Sequence, residues 1–334
     1  MPFFEKLFQA RRMVRAGVFV LITLAGPTAQ AQEDGPYPSR PITLVVPSTA
    51  GGVTDTVARL VAQQLTLSWG QPVVVENKPG ASAMIGTAQV ARAPKDGYTA
   101  LFTFTAHVQN PSLYPDLQYD ALRDFAPVVE VALSSTMLAV TPDFPADNLT
   151  DFVKLIKSKP GAYTYGSYGV ATTGHIYGEL LRKEAGLDME FVAYKGGTPL
   201  ATDLLAGHIK IAMIDVGTAM PHLKAGTMKP LAIIGDKRST LLPDVPTFME
   251  SGYRGFEPYA WMGMLFPAGV PEARVQAMSK EVNQIIAQPD IRQKLVDLNL
   301  EPVGGTPQAY AQVMQDDARK WGAAIKSLGI KIQK

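Results

Sequence analysis

Short apolar runs of strand length alternate with longer stretches of helical period, in two successive sets along the chain. In the first set, strands are expected at Ile42–Val46, Val73–Val75 and Ala100–Phe104, with helices at Thr54–Leu65 and near Ala83–Arg92. The second set reads as helix Asp151–Lys157, strand Tyr163–Gly166, helix Gly174–Ala185, strand Met189–Ala193, helix Pro199–Ala206 and strand Ile209–Ile214. A helix or turn ending in Pro221–Gly226 and a strand at Pro230–Ile234 complete it. Regular alternation of this kind predicts α/β layers with largely parallel sheets. Between the sets, Phe125–Val140 holds two apolar runs broken by Ser134-Ser135, long enough to pass from one domain to another. Pro243, Pro246, Gly252, Gly255 and Pro258 mark a long irregular return to a strand at Trp261–Phe266, and the tail from Pro271 reads as helical.

The first residues carry an address. Lys6, Arg11, Arg12 and Arg15 precede a short apolar run, Ala16 to Ala25, and Ala29-Gln30-Ala31 supplies a small–x–small cleavage pattern. Residues 1–31 therefore read as a secretory signal peptide, and the apolar run is too short to span a bilayer. Arg15 interrupts what a twin-arginine signal would place after Arg11-Arg12, so ordinary secretion to the periplasm is expected. Without that segment the remaining 303 residues carry 27 basic and 29 acidic side chains, a net charge of −2. No field is then available to gather nucleic acid or an anionic membrane. A chain of this length exceeds what one core organises, which favours two domains. The absence of cysteine excludes disulfides, thiolate metal sites and lipid-modified cysteine.

The junction Val45 to Arg59, V-V-P-S-T-A-G-G-V-T-D-T-V-A-R, runs from a strand through a loop of small residues into an amphipathic helix. It presents backbone N–H groups at a helix N-terminus, and Gly51 and Gly52 have no side chains to keep a ligand away. This is a geometry for a carboxylate or other small anion; an ordinary strand-to-helix turn with Thr54 or Asp55 near its cap is the alternative. The second set repeats the device at Tyr165–His175, where Ser167, Thr172 and Thr173 can cap a helix or hydrogen-bond a carboxylate. Tyr194-Lys195-Gly196-Gly197-Thr198-Pro199 is a third such turn, with a cation available at Lys195. Two lobes offering helix N-termini and hydroxyls predict a ligand held in a cleft between them.

Catalytic signatures are missing. Tyr165 stands where G-x-S-x-G needs its first glycine before Ser167. H-E-x-x-H, G-x-x-x-x-G-K-[ST] and a post-strand G-x-G-x-x-G do not occur. The four histidines, at 107, 175, 208 and 222, do not pair at metal-ligand spacing. No enzyme activity, metal or cofactor is expected.

The motifs P-S-T-A-G-G-V-T-D-T-V-A-R, V-V-V-E-N-K-P-G-A-S, A-P-K-D-G-Y-T and N-P-S-L-Y, followed by Y-G-S-Y-G-V-A-T-T-G-H, Y-K-G-G-T-P, D-L-L-A-G-H-I, L-P-D-V-P-T and W-M-G-M-L-F-P-A-G-V-P, resemble the Bug family. These are solute receptors of tripartite tricarboxylate transporters, and the resemblance runs through the whole chain after residue 31. It implies a two-lobed, Venus-flytrap (type II-like) periplasmic binding protein, with 32–132 and 257–334 as one lobe and 133–256 as the other. It implies a small carboxylate as ligand (di- or tricarboxylate, aromatic acid or amino acid), the transporter's membrane subunits as partners, and a monomer. A periplasmic ligand sensor feeding a signalling partner is the alternative role, and a secreted α/β enzyme acting on a small carboxylate ranks behind it. By position, the carboxylate loop is Ser48, Thr49, Ala50, Gly51 and Gly52, and the facing element carries Ser167, Tyr168, Gly169, Thr172, Thr173 and His175. Thr105 and His107 fall in the loop after the third strand, which borders the cleft in relatives. Asp215 ends a strand where relatives often carry aspartate near the ligand; it suits either an amino group or a helix cap. Ser48-Thr49-Ala50 replaces a common aromatic and proline, and Ala171 replaces a common glycine. Hinges are expected near 131–137 and 255–262, and an aromatic connection around Tyr259–Trp261 is a candidate wall for the ligand's far end, as is Met213.

Overall fold

The computed structural model describes residues 36–256 and 260–330, so the expected signal peptide and Tyr259 lie outside the described residues. Strand β1 (Ile42–Val46) has a buried apolar sequence and sits inside its sheet. It leads into α1 (Val53–Trp69), whose Val53, Val57, Val61 and Leu65 face the core and which stops at left-handed Gly70. Then come β2 (Val73–Asn77), α2 (Met84–Ala91), β3 (Thr99–Phe104) and the single turn α3 (Ala106–Gln109). Strand β4 (Phe125–Ser134) passes through Ser135 directly into β5 (Thr136–Val140). There follow α4 (Leu149–Ser158), β6 (Tyr163–Ser167), α5 (Thr173–Ala185), β7 (Met189–Ala193), α6 (Gly197–Leu205), β8 (Ile211–Asp215), α7 (Val216–Lys224) and β9 (Lys229–Ile233). After a long connection, β10 (Ala260–Pro267) leads to α8 (Glu272–Ala287), α9 (Pro289–Asp297), β11 (Leu300–Pro302) and α10 (Pro307–Leu328).

Among the described residues these strands form two sheets, ordered β11-β4-β10-β3-β1-β2 and β7-β6-β8-β5-β9. The fold is thus two-lobed α/β, and the chain changes sheet at the Ser134–Ser135 break and again between β9 and β10.

The expectation of largely parallel sheets is corrected. β1 runs parallel to β2 and β3, and β6 to β7 and β8, but β10 is antiparallel to β3 and β4, β11 to β4, and β5 to β8 and β9. Parallel neighbours need a long crossover, usually a helix. The strands that carry the chain between lobes enter their sheets without one.

The lobes also share packing. One hydrophobic cluster contains Val45 and Leu101 of the first lobe together with Tyr165 and Ile211 of the second. Helix α10 packs on β4 and α3 and also on α5, with Trp321 edge-on to Tyr177 at 5.5 Å and Tyr177 stacked on Phe256 at 5.5 Å. Direct hydrogen bonds cross the cleft as well: the Val53 amide donates to Thr218 Oγ1 (3.1 Å), Thr198 Oγ1 to the Ala50 carbonyl (3.2 Å) and Gln109 Nε2 to Thr173 Oγ1 (3.1 Å).

Candidate functional site

A cavity of about 310 Å³ lies between the lobes. Its wall comes from segments at the C-terminal ends of β1, β2, β3, β4, β6, β7 and β8, and from the start of β10. Open α/β sheets place ligands at this end, because there helix N-termini and short loops converge.

The first loop is shaped from behind. Asp55, only 3% exposed, accepts hydrogen bonds from the Gly51 amide (2.9 Å), Arg59 Nε (3.0 Å) and Asn77 Nδ2 (2.9 Å). Asn77 Nδ2 also reaches the Ser48 carbonyl (3.1 Å). Burial acts to raise the Asp55 pKa, yet the bonds from Arg59, Gly51 and Asn77 hold it below the usual carboxylate value. A rigid loop results. Ser48 Oγ and Thr49 Oγ1 are buried without a partner, a state that a buried hydroxyl rarely keeps. Helix α1 has no side-chain cap, and among the described residues no protein acceptor meets the Thr54 and Asp55 amides. The N-terminus of α6 faces this loop closely: a Cβ at Gly196 would stand 2.2 Å from Thr49 Oγ1.

Of the residues expected from sequence, Ser48, Thr49, Gly52, Tyr168, Gly169, Thr172, Thr173, Lys195 and Asp215 line the cavity. Ala50, Gly51, Thr105, His107, Ser167 and His175 do not, and each has a structural engagement instead. Gly51 turns at φ 82° so that its amide meets Asp55, and the Ala50 carbonyl receives Thr198. Thr105 Oγ1 accepts from the Trp261 amide at 2.8 Å. Ser167 is wholly buried, with its hydroxyl 3.4 Å from Thr172 Oγ1.

His107 is wholly buried between Tyr119 and Phe125, and its Nε2 donates to the Ala121 carbonyl at 2.8 Å. His175 stacks on Phe191 at 4.0 Å, and its Nδ1 accepts from the Ala171 amide at 3.0 Å. That bond holds Ala171 at φ 63°, a left-handed conformation that costs a side chain about 1–2 kcal/mol. Burial lowers both histidines to a pKa of about 4, so both are neutral at pH 7. Met213 is buried in the core, outside the wall.

Asp215 resolves as a helix cap that also lines the cavity: its Oδ1 accepts from the Thr218 amide at 2.8 Å. Burial pushes its pKa up, with the Thr218 bonds opposing.

Sequence reasoning missed the turn Gly80–Ala83, where Gly80, Ala81, Ser82 and Ala83 all have positive φ. It also missed Phe104, Tyr114 and Thr218, which join the wall. The Pro79-Gly80 pair was a readable turn signal. The left-handed conformation of three non-glycine residues was not, because Asn110 Nδ2 on the Ser82 carbonyl (2.9 Å) and Tyr114 against Ser82 Oγ (2.9 Å) brace it from a distance.

Two α/β lobes with a ligand-sized cavity between their strand ends define the periplasmic binding protein class. The chain matches the model of the tripartite tricarboxylate transporter family receptor over residues 57–330, and it belongs to that family, which includes the Bug proteins. The UPF0065 protein in the tcbD-tcbE intergenic region of Pseudomonas sp. (strain P51) is 34% identical over 316 residues, covering 94% of each chain. The structure of R. palustris Rpa4515 with adipate superposes with a TM-score of 0.86 at 33% identity, covering 89% of this chain and 99% of that one. Periplasmic binding protein BugD superposes with a TM-score of 0.85 at 33% identity, covering 89% of this chain and all of the other. The family and these neighbours are solute-binding proteins.

Proposed function

We propose that this protein, exported to the periplasm by a signal peptide at 1–31, captures a small organic carboxylate and presents it to the membrane subunits of a tripartite tricarboxylate transporter. The observation that carries the reading is the pole of the cavity where Ser48 Oγ and Thr49 Oγ1 lie buried without partners beside the uncapped N-terminus of α1. Hydroxyls and helix-end amides are donors, and the aligned peptide dipoles favour negative charge there. That Rpa4515 is described with adipate supports a carboxylate.

Binding and closing are one equilibrium in this reading. The bonds Val53–Thr218 and Thr198–Ala50 form only with the lobes together, so a ligand reaching both lobes shifts the population toward the closed form. The lobes are taken as 32–132 with 257–334, and 133–256, moving as a monomer about 131–137 and 255–262. Solution scattering should show a smaller radius of gyration with saturating ligand; an unchanged radius would remove closure from the mechanism.

The two glycines of the first loop separate by mechanism. Gly52 lines the cavity at φ −76°, and a Cβ there meets nothing nearer than 3.8 Å. Gly52→Val is expected to fold normally and lose binding by filling the ligand's place. Gly51→Val is expected to cost stability as well, because φ 82° disfavours a branched side chain. Ser48→Ala should cost about 0.5–1.5 kcal/mol of binding, the net worth of one hydrogen bond. Calorimetric titration after circular dichroism reads all three, and full affinity in folded Gly52→Val would sink the loop assignment.

A further inference from the structure

The polar groups of the cavity wall fall into two kinds. At the first-loop pole, among the described residues, they lack protein partners: the Ser48 and Thr49 hydroxyls and the Thr54 and Asp55 amides of α1. Elsewhere the protein has already engaged most of the side-chain groups, while the N-terminus of α6 at Gly196 and Gly197 also has no side-chain cap. Tyr114 shares a hydrogen bond with Ser82 Oγ (2.9 Å), and Tyr168 accepts from the Gly174 amide (3.0 Å) and pairs with Thr136 Oγ1 (3.2 Å). Tyr194 donates to Asp203 (2.9 Å) and Thr172 to the Gly169 carbonyl (2.8 Å), while Thr173 receives Gln109. Ser134 and Thr54 bring neutral hydroxyls, Thr54 at the same pole.

Two aromatic rings of the wall, Phe104 and Tyr114, are half-buried. Trp261 also borders the cavity but is itself packed away, 1% exposed, its Nε1 donating to Asp317 Oδ2 at 2.9 Å and its ring meeting Tyr310 edge-on at 5.3 Å. Charge tells the same story. Among the described lining residues only Lys195 and Asp215 are ionisable acids or bases of the Lys, Arg, Asp and Glu kinds. Lys195 is exposed at the rim, whereas Asp215 is a buried carboxyl. A second carboxylate on the ligand would meet no buried cation among the described lining residues and one carboxyl of like charge.

We infer that the cavity takes a monocarboxylate with an apolar, ring-sized body, its carboxylate at Ser48–Thr49 and its ring against Phe104 and Tyr114, in preference to di- and tricarboxylates. This rests on the receptor reading above and narrows it. A volume of about 310 Å³ is at the small end for ligand pockets, consistent with such a molecule.

The test is calorimetric titration with benzoate, phenylacetate, adipate, malate, citrate and glutamate. Benzoate or phenylacetate is expected to bind at least tenfold tighter than each of the others. Tyr114→Leu should weaken that acid at least tenfold; should this variant not fold, Phe104→Leu carries the same expectation. Adipate, malate or citrate binding as tightly overturns the inference but leaves the receptor reading standing. Tighter glutamate overturns it too, by showing that Asp215 receives an ammonium group. If none of the six binds, the receptor reading itself fails.

Discussion

A Gly196→Val protein is expected to fold and yet to lose ligand affinity by about a hundredfold or more, on the order of 3 kcal/mol. Gly196 caps α6 at φ 135° and ψ 174°, a region essentially reserved for glycine. Strain there is about 1–3 kcal/mol and acts whether the lobes are apart or together. The second effect is specific to the closed form. A Cβ would stand 2.2 Å from Thr49 Oγ1 and 3.3 Å from Thr49 Cβ, on the loop of the other lobe. The clash therefore penalises closure more than folding. Circular dichroism and thermal melting should show a folded, somewhat destabilised protein, while titration with the preferred acid should show the loss. Unaltered affinity in the folded variant would mean that this contact plays no part in ligand capture.

The second large effect is on stability against pH, and two buried sites pull in opposite directions. His107 has its pKa lowered by burial from 6.5 to about 4, opposed only by its bond to the Ala121 carbonyl. Its Nδ1 is buried without a partner, so a proton added there has nothing to donate to. Between these two values the unfolded chain holds more protons than the folded one, and stability falls as pH drops from 6.5 toward 4. The full shift corresponds to about 3 kcal/mol. His175, also lowered to about 4 chiefly by burial, adds to the same limb.

Glu130 behaves oppositely. Burial first, then the neighbouring Asp317 charge, raise it from 4.5 to about 7; the buried Tyr310 feels both carboxyls. A carboxyl raised in the fold stabilises at low pH, and that contribution is lost as pH rises from 4.5 through 7. Denaturant unfolding from pH 4 to 8 should show His107→Phe with a shallower acid limb. Glu130→Gln should relieve the decline toward neutral pH. Parallel pH profiles for His107→Phe and the unsubstituted protein would show that His107 titrates normally.

Much of this architecture was legible along the chain because hydrophobic period is a local property. Strand β1 and strand β7 begin and end where the apolar runs do, and the Ser134-Ser135 break marks the passage between sheets. The Ser48–Gly52 loop was legible because a strand, small residues and an amphipathic helix follow one another directly. The three-residue β11, with Pro302 and no room for a period, was not, and neither was the single turn α3.

By itself the sequence determined the alternation of elements, the two-lobed division, the family motifs and the strand-to-helix junctions that line the cavity. Only the tertiary structure decided what each polar side chain does there. Asp55 braces the first loop only because Asn77 and Arg59 arrive beside it. His107 and His175 are packing residues because aromatic rings from elsewhere enclose them. Trp261 is packed into the core because Asp317, 56 positions further on, fixes its indole. Burial and hydrogen-bond satisfaction are set by segments far apart in the chain, so no local pattern carries them.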